Sequence, residues 1–182
     1  MRMIYLALIL APTQLLAACP EITERSERHL QLMEQVANAK DETMARELNN
    51  QLWEIWATAP DEMAQEILQR GMERMAAHDF ASAVDDFDAL VEYCPNYAEG
   101  YNQRAFVNFI LGDYETSLTD LERALAITPD HIGALTGRAL ALMQLGRNDE
   151  GQAVLREALK LNPWLPERNR LEPLEKSSPK EL

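Results

Sequence analysis

Glycine, histidine and cysteine are all scarce in this 182-residue chain, and their scarcity closes off most chemistry. The seven glycines are scattered singly, so no Gly-rich phosphate loop exists, and neither a nucleophile elbow nor an HExxH zinc pattern occurs. The three histidines, His29, His78 and His131, lie outside metal-ligand spacing of one another and of either cysteine. His78 and His131 fall at expected turns, where solvated loop positions are the plain reading. The acidic pairs Asp85-Asp86 and Asp149-Glu150 lack the oxygen-rich loop that calcium requires. No catalytic residue, cofactor or metal ligand is therefore expected, and an enzyme is not the reading.

Positive charge is short as well. The 17 Lys and Arg against 30 Asp and Glu leave a net charge of −13. That balance repels phosphate backbones, so nucleic acid is not an expected partner, and it opposes adsorption to an anionic membrane. A solvated acidic surface is one consequence, and attraction for a basic partner is the other.

Long hydrophobic runs are missing too. Ile4 to Ala11 is apolar, but Pro12 and Gln14 interrupt it well before the roughly 20 residues that a permanent membrane helix needs. With Arg2 ahead of it and the small residues of Leu15 to Ala18 behind, residues 1–18 read as an export signal. A buried first helix is the competing reading, and the absence of apolar periodicity across Pro12 opposes it. Export would place the mature chain in an oxidising space, the bacterial periplasm.

The two cysteines, Cys19 and Cys94, are an even pair for such a compartment. A disulfide between them would close a long loop and stabilise the fold by roughly 4 kcal/mol in the loop-entropy model. The alternative is that Leu16-Ala17-Ala18-Cys19 resembles a bacterial lipoprotein signal, with Cys19 lipidated as the first residue of the mature chain and a membrane tether the result. The two uses of Cys19 exclude each other. A membrane is expected as a partner only if Cys19 is lipidated.

What is present is helical pattern. Glu21 to Ala57 contains no glycine or proline, and Leu30, Met33, Ala37, then Met44, Leu48, Leu52, Ile55 and Trp56 recur at three- and four-residue steps. A break is expected over Asn38 to Asp41, with Asp41 capping a second helix that stops before Pro60. No segment alternates with period two over a strand's length, so no sheet is expected.

From there a 34-residue period takes over. Pro95, Pro129 and Pro163 are one step apart, as are Gly71, Ala105 and Ala139; Gly112 maps onto Gly146, Ala124 onto Ala158, and Phe87, Leu121 and Leu155 onto one another. Small residues suit a close crossing of two helices, glycines a turn, and prolines a helix stop. Units of approximately 64–97, 98–131 and 132–165 follow.

At these residues the chain resembles the tetratricopeptide repeat. The middle unit is nearest, with Tyr101, Ala105, Gly112-Asp113-Tyr114, Ser117, Leu121, Ala124 and Pro129 at the motif positions. His78 replaces the turn glycine in the first unit, and Gly151 replaces an alanine in the third. The resemblance implies an all-α fold, helical hairpins stacked as a short right-handed solenoid over 61–172. The helical pair within 19–60 would be its N-terminal cap, and 173–182 a disordered tail. It also implies a protein–protein interaction module that holds a peptide or partner protein in its concave groove; with the export reading, this becomes an adaptor or scaffold of the bacterial cell envelope. The alternative is a lipid-anchored structural subunit of an envelope assembly.

The expected groove set is Leu68, Met72, Glu99, Asn102, Gln103, Phe106, Phe109, Thr136, Leu140 and Met143, a mixture of apolar side chains and amides suited to a peptide. Phe106, Phe109 and the methionines could equally serve the core. Arg70, Arg104 and Arg138 recur at the same place. Arg70 and Arg104 have Asp86 and Asp120 sixteen residues on as ion-pair partners; Arg138 meets Val154 there, which would leave it available to a ligand carboxylate.

Overall fold

The computed structural model describes residues 19–21 and 26–173. The expected export signal at 1–18, and the tail beyond Pro173, lie outside the described residues. Among the described residues there is no strand. The elements in order are α1 (Glu27–Ala37), α2 (Glu42–Trp56), α3 (Glu62–Ala76), α4 (Phe80–Tyr93), α5 (Ala98–Leu111), α6 (Tyr114–Ile127), α7 (Ile132–Gln144) and α8 (Asn148–Leu161), then a 3-10 turn over Pro166–Arg170.

Helix starts are written into the sequence. Ser26, Asp41, Asp61, Asp79 and Asp113 each accept, through a side-chain oxygen, the backbone N–H three residues on. Each such cap stabilises its helix by about 1 kcal/mol. Gly112 and Gly146 take left-handed backbone at φ 83° and 76° to turn from α5 to α6 and from α7 to α8. His78 takes the corresponding place between α3 and α4 at φ 61°, so the chain makes the same turn with a residue that resists it.

The three hairpins α3–α4, α5–α6 and α7–α8 stack in order. Their crossings explain the small residues. A Cβ on Gly71 would lie 2.6 Å from the Phe87 ring, and Ala105 and Ala139 are fully buried. Gly151 has a local cause of its own: a Cβ there would stand 2.8 Å from the Ala139 carbonyl oxygen and 2.7 Å from Met143. In this hairpin α7 and α8 approach so closely that alanine does not fit.

The expected N-terminal pair is α1 and α2, and the surface it covers is far away in sequence. Leu32, Met33 and Val36 of α1 and Leu48, Leu52 and Trp56 of α2 share one core with Ile132, Ala158 and Leu165 of the third repeat. Burying each large apolar side chain there contributes roughly 1.5–3 kcal/mol. The Trp164 indole N–H donates to the Ala39 carbonyl (2.9 Å), and Arg168 pairs with Glu42 (2.9 Å). At its other end α2 delivers Trp56 to the starts of α7 and α5, where the Tyr97 hydroxyl donates to the Trp56 carbonyl (2.7 Å). Fifteen residues of helix span about 22 Å, close to the width of three helices packed 8–10 Å apart. The pair is therefore a strap that runs from the third repeat back to the first.

Cys19 and Cys94 form a disulfide with their Cα atoms 5.1 Å apart. It ties the beginning of the described chain to the end of α4 and closes a loop of 75 residues. The sulfur that a lipid would need is spent in this bond. Among the described residues no helix is long and apolar enough to cross a membrane.

Candidate functional site

The first helices of the repeats, α3, α5 and α7, touch one another directly, whereas α4, α6 and α8 make no comparable contact among themselves. The stack therefore curves with α3, α5 and α7 on its inner side. Along α5 the inward positions follow the helical period: Asn102, Phe106 and Ile110, each four residues on. The 34-residue shift matches Phe106 with Met72 on α3 and with Leu140 on α7.

The inner end of the strap covers the N-terminal ends of α5 and α7. Over the N-terminal half of α5, Trp56 stacks on the His131 ring at 4.2 Å and 19°, while His29 meets Trp56 edge-on at 5.9 Å. Beneath them Glu99 and His131 are each 1% exposed. His131 Nδ1 accepts the Ala134 N–H at 3.2 Å, so it caps α7 and carries no proton on that nitrogen. The proton sits on Nε2, which donates to the Glu99 carboxylate at 2.8 Å. Asn102 donates to the same carboxylate at 3.1 Å, and Gln103 donates to its other oxygen. Three donors thus offset the cost of burying Glu99. Burial first, and the nearby Glu99 charge second, push the Tyr97 hydroxyl above its ordinary pKa and keep it a donor. His29 lies 3.8 Å from the Asp130 carboxylate at the same junction. A cavity of about 1150 Å³ adjoins it, bounded by His29, Trp56, Tyr97 and Arg123 among others.

Beyond Trp56 the groove is open. Phe106 is 51% and Ile110 44% exposed, one helical turn apart on the inner face of α5. Asn102, Met72, Thr136 and Leu140 are half-buried beside them.

Several expected groove residues lie elsewhere. Leu68 is fully buried with Ala64, Phe87 and Leu90, so it belongs to the core of the first repeat. Glu99 and Gln103 are buried and hydrogen-bonded to each other, so neither is open to a ligand. Phe109 packs against Tyr114 and the core of the second repeat, and Met143 packs against Gly151. Arg138 points toward α6 of the preceding repeat, with Glu122 at 3.7 Å, and takes no part in the groove. The other two arginines pair as anticipated. Arg70 meets Asp86 at 2.8 Å, and Arg104 grips Asp120 with two nitrogens while also reaching Asp88 at 2.6 Å. Asp120 and Asp88 hold the Arg104 proton more tightly than in a free guanidinium, the hydrogen bond to Asp120 contributing most.

Sequence reading missed Ile110, Trp56, His29 and the burial of His131. Ile110 was available from the four-residue step after Phe106. The other three depend on where the strap folds, and no local pattern carries that.

Comparison with known proteins agrees with this architecture. The tetratricopeptide-repeat family is matched by one model over residues 68–132 and by a second over 109–166. The chain belongs to the tetratricopeptide-repeat family. A TPR repeat-containing protein of Rhizobium etli is 32% identical over 120 residues, which cover 66% of this chain and 58% of that protein. DnaJ homolog subfamily C member 3 of Mus musculus is 31% identical over 53% of this chain but only 19% of its own length. The chain thus spans less than two thirds of these curated relatives. Among solved structures, the first TPR of Spaghetti (RPAP3), bound to an HSP90 peptide, superposes with a TM-score of 0.58 at 20% identity, covering 59% of this chain and 85% of that one. MamA gives 0.52 at 20% identity, covering 73% and 75%. At these identities the structural likeness concerns the fold.

Proposed function

We propose that this protein is an interaction module that takes a peptide segment of a partner protein into the open half of its concave groove, as an adaptor or scaffold of the bacterial cell envelope. The observation that carries this reading is the pair Phe106 and Ile110, large apolar side chains left about half exposed on the inner face of a closely packed stack. Exposed apolar surface in a concave setting is where polypeptide binding gains most. The first TPR of Spaghetti (RPAP3) is described as bound to an HSP90 peptide and the TPR2B domain of yeast Sti1 as a pHsp70 complex, which supports a polypeptide ligand. Export to an oxidising space is supported by the Cys19–Cys94 bond, since such bonds persist there and are rare in the cytosol. The bond weighs against the lipid-anchored reading, because one sulfur cannot serve both.

A photo-crosslinking residue placed at Phe106 in the full chain, expressed in a bacterial envelope, tests this. A discrete crosslinked polypeptide is expected at position 106 and none at Glu157, an exposed position on α8. Equal labelling at the two positions, or none at 106, would refute the groove assignment.

A further inference from the structure

The open half of the groove has a second property besides its apolar floor. Its exposed and half-exposed lining carries no charge: Met72, Ala76, Phe106, Ile110, Leu140 and Gln144 run across α3, α5 and α7. No arginine projects into it, because Arg70 and Arg104 are held by aspartates and Arg138 faces α6. A partner terminating in carboxylates would find no cation here.

The rim, by contrast, is acidic. Asp79 and Asp113 in the turns that end α3 and α5, Glu115 and Asp149 in the first turns of α6 and α8, and Glu73 in the last turn of α3 are all exposed. None of these five makes an ion pair with a described residue. Asp79 and Asp113 use one oxygen each to cap a helix, which leaves their charge facing solvent. On the same edge Arg147 is already paired with Glu150 (2.6 Å), and Arg74 with Asp86 (2.8 Å). An uncharged apolar trough beside an unneutralised acidic rim fits one kind of occupant.

We infer that the open half of the groove receives a basic amphipathic helix of a partner polypeptide, its apolar side on Phe106 and Ile110 and its Lys or Arg residues over the rim of Asp79 and Asp113. The assignment rests on the reading of the groove as a polypeptide-binding surface and adds the chemistry of the ligand. Three helices spaced 8–10 Å apart make a trough roughly 20–30 Å wide, matched by a helix of about 14–18 residues lying across them. Apolar contact along i, i+3 and i+4 positions sets the register, and the rim raises the association rate and adds salt dependence.

The test uses the oxidised mature chain, residues 19–182, and three labelled synthetic 16-residue peptides read by fluorescence anisotropy. One is an amphipathic Leu/Lys helix, one its Leu/Glu counterpart, and one the Leu/Lys composition scrambled. The Leu/Lys helix is expected to bind at least about tenfold more tightly than the other two. Phe106→Ala, a change at an exposed side chain that leaves the melting temperature in place, weakens it by about tenfold. Asp79→Asn with Asp113→Asn keeps both helix caps, removes two charges, and reduces both the affinity and its dependence on salt. Equal binding of the scrambled peptide, or Leu/Lys binding indifferent to Phe106→Ala, overturns the inference. If the Leu/Glu helix binds in a Phe106-dependent way, the basic assignment falls while the groove stands. If no peptide responds to Phe106→Ala, both fall.

Discussion

Replacing Trp56 by alanine should unfasten the strap at its inner end and expose what it covers. The ring is buried, stacks on His131 and meets His29 edge-on, so the substitution removes contacts to two elements at once. Truncating a buried tryptophan costs about 3–5 kcal/mol. The lower end is expected, since the Trp56 carbonyl survives the change and still accepts the Tyr97 hydroxyl. For a domain of this size about 3 kcal/mol corresponds to roughly 6–12 °C in melting temperature. Apolar contacts of Leu32, Val36, Leu48 and Leu52 with the third repeat should keep the outer end attached. Histidine modification by diethylpyrocarbonate, mapped by mass spectrometry, reads the difference site by site. His78 is exposed and reacts in both proteins, serving as an internal reference. His29 and His131 should be inert in the parent chain and reactive in the variant. If the melting temperature falls while both stay inert, Trp56 is a core residue like any other and the strap does not gate that half of the groove.

Reduction of the Cys19–Cys94 bond, or Cys94→Ala in the same chain, should lower the urea-derived stability by up to about 4 kcal/mol; an unchanged midpoint would mean the unfolded chain is not restrained by the bond. Arg104→Met should cost about 3 kcal/mol by leaving Asp120 buried without its cation, while Arg138→Met, at an exposed pair with Glu122, should change thermal stability by less than about 1 kcal/mol. Comparable losses in the two variants would refute the distinction. Gly151→Ala should destabilise by about 1–3 kcal/mol in spite of alanine's better helix propensity, because its Cβ meets the Ala139 carbonyl. His78→Gly should raise the stability by about 1 kcal/mol by relieving left-handed backbone, measurable in the same melts.

The repeats were legible in the sequence because each demands particular residues at fixed places: glycine or alanine where helices cross, proline after the second helix, glycine at the turn between. These are local constraints, and the 34-residue shift gathers them. The ion pairs of Arg70 and Arg104 were legible for the same reason. Arg138 was misread because only the partner sixteen residues ahead was considered. Arg104 also binds Asp88, sixteen residues behind, and shifting that pair by one repeat gives Arg138 with Glu122. The signal was present, one step beyond the hairpin.

The strap was legible as two amphipathic helices but not as to place. Its contacts join residues as remote as Ala39 and Trp164, 125 positions apart, and a helical apolar stripe does not state which surface it will cover. From this one packing choice follow the features that sequence reading assigned to solvent or to ligand. His131 is at a turn, as its position predicts, yet buried, because Trp56 arrives from another hairpin to cover it. Glu99 and Gln103, expected in the groove, are buried, Glu99 beneath the His131 ring on which Trp56 stacks. The half of the groove that the strap leaves uncovered is the half in which Phe106 and Ile110 remain exposed. A peptide needing the full width of the groove must therefore displace Trp56, whereas one confined to the open half binds without disturbing the strap. Comparing the Leu/Lys peptide's affinity for the parent chain and for Trp56→Ala separates the two: equal affinity places the ligand in the open half alone.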